Sequence, residues 1–218
     1  MSLPRRLLAE ALGTAFLLAV IVGSGIMAER LSGGNIAMTL LANAMATGCA
    51  LFALIQAIGP ISGAHFNPAV SLTMALRGEL PGPDAAGYII VQLAGAFAGV
   101  AAAHGMFGLP AFTPSGHERL GWALAWSEFI ATFGLLLVIL GTHRAGLTVT
   151  ACSVAVYIVA GYWFTASTSF ANPAVTLARA FTDTFSGIRL DGVLWFMLAQ
   201  VTAVFAAIGT GKLLYATR

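Results

Sequence analysis

Long apolar stretches alternate with short breaks rich in Gly, Pro and Ser along the whole chain. Crossing a hydrocarbon core of ~30 Å takes about 20 helical residues. Six stretches are long enough, at about 6–28, 36–58, 84–107, 119–141, 147–165 and 190–213. Ser32-Gly33-Gly34, Gly59-Pro60, Pro81-Gly82-Pro83, the run from Pro110 to Gly116 and Ser186-Gly187 separate them, each with residues that interrupt a helix. The pattern predicts an all-α integral membrane protein, a single domain over 1–218.

Two of the breaks carry a repeated signature, Phe66-Asn67-Pro68-Ala69-Val70 and Ala171-Asn172-Pro173-Ala174-Val175. Each has the chemistry of a helix start: Asn is a favoured N-cap, and Pro fits the first helical position, where its missing N–H would have had no partner. After each Asn-Pro the apolar pattern runs only about ten residues, to Arg77 and to about Phe181, or ~15 Å of helix. Each therefore predicts a half-helix that enters the membrane without crossing it.

The two halves repeat. Ala9-Glu10-Ala11-Leu12-Gly13-Thr14-Ala15-Phe16 resembles Ser127-Glu128-Phe129-Ile130-Ala131-Thr132-Phe133-Gly134, the Asn-Pro signature recurs, and Gln92 in the third span is echoed by Gln200 in the sixth. Three spans lie between the signatures, so the second repeat, about 119–218, is threaded in the opposite sense to the first, about 1–108. The half-helices then enter from opposite faces and bring their N-termini together near the midplane, where inverted repeats place substrate sites. Irregular backbone at that depth is tolerated only where it is buried or lines water, so the pattern predicts a solute path.

Composition narrows the class. With 59% hydrophobic and 8% charged residues, the chain could not cover a solvated globular surface, of which about a quarter is usually charged. The formal charge of +2 is too small and scattered for a nucleic-acid partner. Cys49 and Cys152 both fall in apolar runs and read as buried thiols, with no disulfide framework or metal spacing. His104, His117 and His143 lie near span ends without ligand spacing, so no metal or cofactor is expected. Arg5-Arg6 before an apolar run could suggest a signal peptide or a twin-Arg address, but the run is long enough to span and Glu10 would interrupt a signal core. With the N-terminus cytoplasmic, Arg5, Arg6, Arg77, Arg144, Lys212 and Arg218 fall inside and Arg30, Arg119, Arg179 and Arg189 outside, a modest excess that favours both termini inside.

With these residues the chain resembles the aquaporin and glycerol-facilitator (major intrinsic protein) family over essentially its whole length. The paired Asn-Pro-Ala boxes, Gly63-Ala64-His65-Phe66 before the first, a Glu near the start of the first and fourth spans, and Gln92-Leu93-Ala94-Gly95 form the ordered set that carries the resemblance. It implies six transmembrane helices and two re-entrant half-helices in an inverted 3+3 repeat, with one pore per subunit of a homotetramer in a plasma membrane, here a bacterial inner membrane. Asn67, Pro68, Ala69, Asn172, Pro173 and Ala174 would be the pore boxes, the Asn side chains capping their helices by oxygen and donating N–H groups to the lumen. Carbonyls of Gly63, Ala64 and His65, and of Thr168, Ser169 and Phe170, would be the acceptor ladder. Glu10 and Glu128 would accept hydrogen bonds from the re-entrant loops, although acidic residues at membrane depth also permit a proton-coupling reading. His65 reads as a packed loop residue.

Counting by the family's spacing, the outer constriction would consist of Thr47, Ala160, Ser169 and Val175, with Val175 where the family usually has Arg. Such a filter has no aromatic, no His and no fixed charge. Arg179, one turn beyond Val175 on roughly the same face, could place its cation in the outer vestibule, and Cys152, twenty residues before its Asn as Thr47 is, could face the inner mouth. The resemblance implies a passive channel, not an enzyme, for small uncharged solutes. Nonpolar substitution at the filter Arg resembles bacterial members associated with arsenic handling, so arsenous acid and related metalloid hydroxides rank first, with water, glycerol and urea as co-permeants. The alternatives are a general water and glycerol pore, a proton-coupled secondary transporter using Glu10 and Glu128, and a junction protein with an occluded pore.

Overall fold

The computed structural model describes residues 1–215; Arg218, counted above among the inner charges, lies outside them. Six long helices are apolar enough to cross a membrane. They are α1 (Leu3–Leu31), α2 (Ile36–Ser62), α4 (Gly82–Phe107), α5 (Trp122–Thr142), α6 (Leu147–Phe164) and α8 (Leu190–Leu214), and the half-helices are α3 (Pro68–Leu76) and α7 (Pro173–Ala178). A 3-10 turn, Arg179–Phe181, extends α7. The protein is therefore the multi-pass helical membrane protein that its hydropathy pattern predicts.

Helix ends run past several sequence breaks. α2 continues through Gly59-Pro60 to Ser62, because a proline this close to the C-terminal end deprives only the Gln56 carbonyl of its helical donor. Gly63, with φ 92°, then stops the helix in the left-handed region. Pro83 lies in the first turn of α4, where it costs no hydrogen bond.

Threading the helices in order puts the start of α1 and the end of α8 on one face, the N-terminal face, and the loops 32–35, 108–121 and 182–189 on the opposite face. α1 packs against α2 and α4, α5 packs against α6 and α8, and α2 meets α6 across the centre. The α1–α4 contact is close because Gly95 and Gly99 sit directly on the backbone of Ala11 and Ala15. The interior is unusually polar for a span bundle: Glu10, Thr14, Gln92, Glu128, Thr132 and Gln200 are fully buried. Large apolar side chains such as Phe16, Ile90, Val156 and Phe205 are exposed instead, as lipid contact requires. All four tryptophans, Trp122, Trp126, Trp163 and Trp195, are exposed toward the opposite-face ends of α5, α6 and α8, where amphipathic rings favour an interface.

The two thiols correct the sequence reading. Cys49 and Cys152 are free and exposed, facing outward. In a membrane helix both the packed and the lipid face are apolar, so an apolar run does not distinguish them.

Candidate functional site: a central pore

The loops that precede α3 and α7 are built alike, residue for residue. Gly63, Ala64 and Phe66 in the first, and Thr168, Ser169 and Ala171 in the second, have positive φ, at a cost of about 1–3 kcal/mol for each non-glycine residue. The Glu10 carboxylate accepts from His65 N–H at 2.9 Å and Phe66 N–H at 2.7 Å. Glu128 accepts from Phe170 and Ala171 N–H, both at 2.8 Å. Gln92 bridges Glu10 to Ser71 of α3 (2.8 and 3.0 Å), and Gln200 bridges Glu128 to Thr176 of α7 (2.7 and 2.8 Å). Each strained loop is thus suspended from a buried carboxylate.

No described residue donates to the carbonyls of Gly63, Ala64, His65, Thr168, Ser169 or Phe170; all of these residues except Thr168, which the sequence reading had placed with them, border the cavity. Asn67 caps α3 through Ala69 N–H at 2.9 Å, and Asn172 caps α7 through Ala174 and Val175 N–H at 3.0 and 3.3 Å. One N–H of each amide is committed across the midplane, Asn67 to the Ala171 carbonyl and Asn172 to the Phe66 carbonyl. Each Asn therefore has one N–H left for the lumen, fewer than the sequence reading allowed. Pro68, Ala69, Pro173 and Ala174 are buried behind them. His65 is half-buried and borders the cavity, its Nδ1 3.0 Å from Ser71 Oγ and its ring edge-on to Tyr88.

A cavity of about 310 Å³ passes these groups. It is bounded by Ile55, His143, Leu147 and Thr150 toward the N-terminal face, by Asn67 and Asn172 in the middle, and by Thr47, Tyr162, Ser169, Val175 and Arg179 toward the opposite face. The Ser169 hydroxyl is buried with no partner among the described residues, and Thr47 Oγ1 lies 3.3 Å from the Tyr162 hydroxyl.

Two positions counted from the second box are misplaced, both by the same two residues. Ala160 is not at the constriction: it is exposed and lines a separate outer groove with Val156 and Tyr157. Cys152 is exposed too, and the cavity is lined instead by Val154, Ile158 and Tyr162. These three recur every four residues, the spacing of one helix face, so Ala160 and Cys152 point elsewhere. The connection from α6 to the second box is therefore two residues shorter than the spacing assumed. As a result the mouth contains an aromatic, Tyr162, which the sequence count missed, although a Tyr one helical turn beyond the apolar Ile158 was a usable signal.

Arg179 is the other departure from a nonpolar mouth. It is 2% exposed and borders the cavity. Its guanidinium lies 3.4 Å from the centre of the Phe170 ring, and its Nε donates to the Ser186 carbonyl. Arg119 approaches the same ring at 5.3 Å but donates to the carbonyls of Gly187, Ser167 and Phe185, away from the lumen. Burial holds its pKa below the ordinary arginine value. Among the described residues no cluster of His, Cys, Asp or Glu could hold a metal ion.

The profile of the family described as Major intrinsic protein matches residues 1–150. The chain is 52% identical over 206 residues to Aquaglyceroporin AqpS of Rhizobium meliloti, covering 94% of this chain and 88% of that protein. It is 35% identical over 228 residues to Aquaporin AqpM of Methanothermobacter thermautotrophicus, covering 87% and 88%. The X-ray structure of the aquaglyceroporin from Plasmodium falciparum shares the fold, with a TM-score of 0.77 at 22% identity over 99% of this chain and 98% of that one.

Proposed function

Because the chain belongs to the major intrinsic protein family, and is thus a passive channel and not an enzyme, we propose that its solutes are small neutral polyhydroxy molecules, metalloid hydroxides first. Arsenous acid, a neutral trihydroxide, resembles glycerol in its hydroxyl display. Glycerol, urea and water are the expected co-permeants. The observation that carries this reading is the pair of residues at the mouth beside the second box: Val175 and Ser169 border the cavity, and at neither position does a guanidinium or a ring fill it. A general water and glycerol pore is the nearest alternative.

Proton-coupled transport is disfavoured by the carboxylates themselves. Glu10 accepts from Ser62, His65, Phe66 and Gln92, and Glu128 from Phe170, Ala171 and Gln200. Neither glutamate borders the cavity, so neither carboxylate is presented to a passing solute. Gln92, Gln200 and the two boxes act as one channel domain over 1–218. The proposed setting is a bacterial inner membrane with both termini cytoplasmic and four copies of the chain around an axis, which native mass measurement in detergent tests.

Stopped-flow light scattering on proteoliposomes tests the solute range by comparing water, glycerol and arsenous acid in wild type and Val175→Arg. Fast entry of glycerol and arsenous acid, sharply reduced in the variant while water persists, is the expected result. Fast water alone, with no effect of the variant, would make this a water channel whose constriction lies elsewhere.

A further inference from the structure

Arg179, Val175 and Tyr162 all border the cavity at its opposite-face mouth. Resting on the passive-channel reading above, we propose that Arg179 is the channel's cation barrier and solute-orienting donor while Val175 and Tyr162 set its width, so that selection by charge and selection by size are separable.

Arg179 is positioned for this by a chain of contacts that begins on α1. The Ser186 hydroxyl donates to the Ile21 carbonyl at 3.1 Å, and Ser186 packs against Gly25, where any Cβ would collide with that hydroxyl. This pins loop 182–189 to α1, and the Ser186 carbonyl then holds Arg179 Nε. The Phe170 ring supports the guanidinium from one side, an attraction between a cation and a ring face. No described residue accepts from the two Nη groups, and the side chain is almost wholly buried where it meets the cavity. A buried guanidinium with idle donors is costly, so its Nη groups are available to oxygen atoms in the lumen.

The rest of the lining adds no opposing charge. Among the described residues that border the cavity there is no Asp or Glu, and both half-helices direct their positive N-terminal ends at its middle. The guanidinium therefore raises the energy of any passing cation without compensation. Across the mouth, the Thr47 and Tyr162 hydroxyls form an adjacent pair, each able to donate or accept. A neutral solute with two or more hydroxyls can span from that pair to the Arg179 donors, which selects for polyhydroxy molecules over apolar ones of equal size.

The test uses full-length protein in proteoliposomes, with proton leak read by an internal dye and entry of glycerol and the next longer polyols read by light scattering. Arg179→Leu is expected to raise proton leak about tenfold or more and to lower the glycerol-to-water ratio, with the longest admitted polyol unchanged. Val175→Leu is expected to shorten the longest admitted polyol without raising the leak, and the double variant should show both changes independently. Arg179→Lys keeps the charge but not the planar fork, so it should retain the barrier and lose glycerol preference. Where the leucine variant does not fold, Arg179→Gln reads the same two quantities. An Arg179 variant that conducts water like wild type, with wild-type leak and wild-type glycerol preference, would overturn the proposal. Wild-type vesicles that pass water but no polyol would instead refute the solute range, and the proton leak of Arg179→Leu would still read the barrier.

Discussion

Asn67 and Asn172 each hold the other's loop: the Asn67 amide donates to the Ala171 carbonyl and the Asn172 amide to the Phe66 carbonyl, both at 2.8 Å. Each also caps its own half-helix through the amide oxygen. One side chain thus fixes two backbone segments from opposite membrane faces, and the pair forms a closed reciprocal clamp at the midplane.

Asn172→Ala should therefore destabilise more than an ordinary lost cap. Losing the cap costs about 1 kcal/mol, and stranding the buried Phe66 carbonyl adds about 1–3 kcal/mol. A thermal melt in detergent is expected to fall clearly for Asn172→Ala and by a similar amount for Asn67→Ala. Asn172→Asp keeps the cap oxygen but loses the donor, so an unchanged melt for it would show that the clamp contributes little.

Glu128→Gln removes the charge that two backbone N–H groups of a strained loop depend on. Hydrogen bonds to a charged group contribute about 1.5–3 kcal/mol each, so the variant should melt well below wild type and lose most of its solute flux. If it retained its stability while abolishing only uptake driven by a pH gradient, the carboxylate would be a proton carrier instead of a loop support.

Ala160→Trp and Tyr162→Ala separate the two faces of α6. Ala160 opens outward, so tryptophan there should leave water and glycerol permeability within about twofold, as expected of a surface substitution. Tyr162→Ala removes a ring from the mouth and should raise the longest admitted polyol. The reverse pattern would place the constriction on the face counted from the sequence.

That contrast shows what was legible in the sequence. The six spans, both half-helices and the boxes follow from hydropathy, capping chemistry and an internal repeat, all of which are local or periodic signals; the loop-support role of Glu10 and Glu128 came from the family resemblance, and that of Gln92 and Gln200 appears only in the structure. The mouth is not local: Thr47, Tyr162 and Val175 come together from α2, α6 and α7, and a loop shorter by two residues turns a helix position to the opposite side. Arg179 was legible as a neighbour of Val175, but its anchoring on Ser186 depends on a loop returning from 182–189 to α1. The outward thiols were misread because a small apolar residue fits the packed face and the lipid face of a membrane helix equally well.

Gly99→Leu tests the close pairing of α1 and α4. Its side chain would enter the backbone of Ala15 and the side chain of Leu18, so the helices must separate or the protein must misfold. Overpacking of this kind costs about 1–3 kcal/mol or more. Size-exclusion chromatography should show loss of monodisperse protein, while Gly105→Leu on the same helix, where a Cβ meets nothing, should behave as wild type.

The placement of Trp122, Trp126, Trp163 and Trp195 toward a single face makes the chain its own gauge of orientation. Indole emission reports on only one leaflet of the bilayer that holds it. Brominated lipid confined to the leaflet around the opposite-face ends should quench nearly all of that emission, and the same lipid in the other leaflet very little. Every reconstituted vesicle preparation then carries an optical record of how many channels point each way, with no label added to the protein.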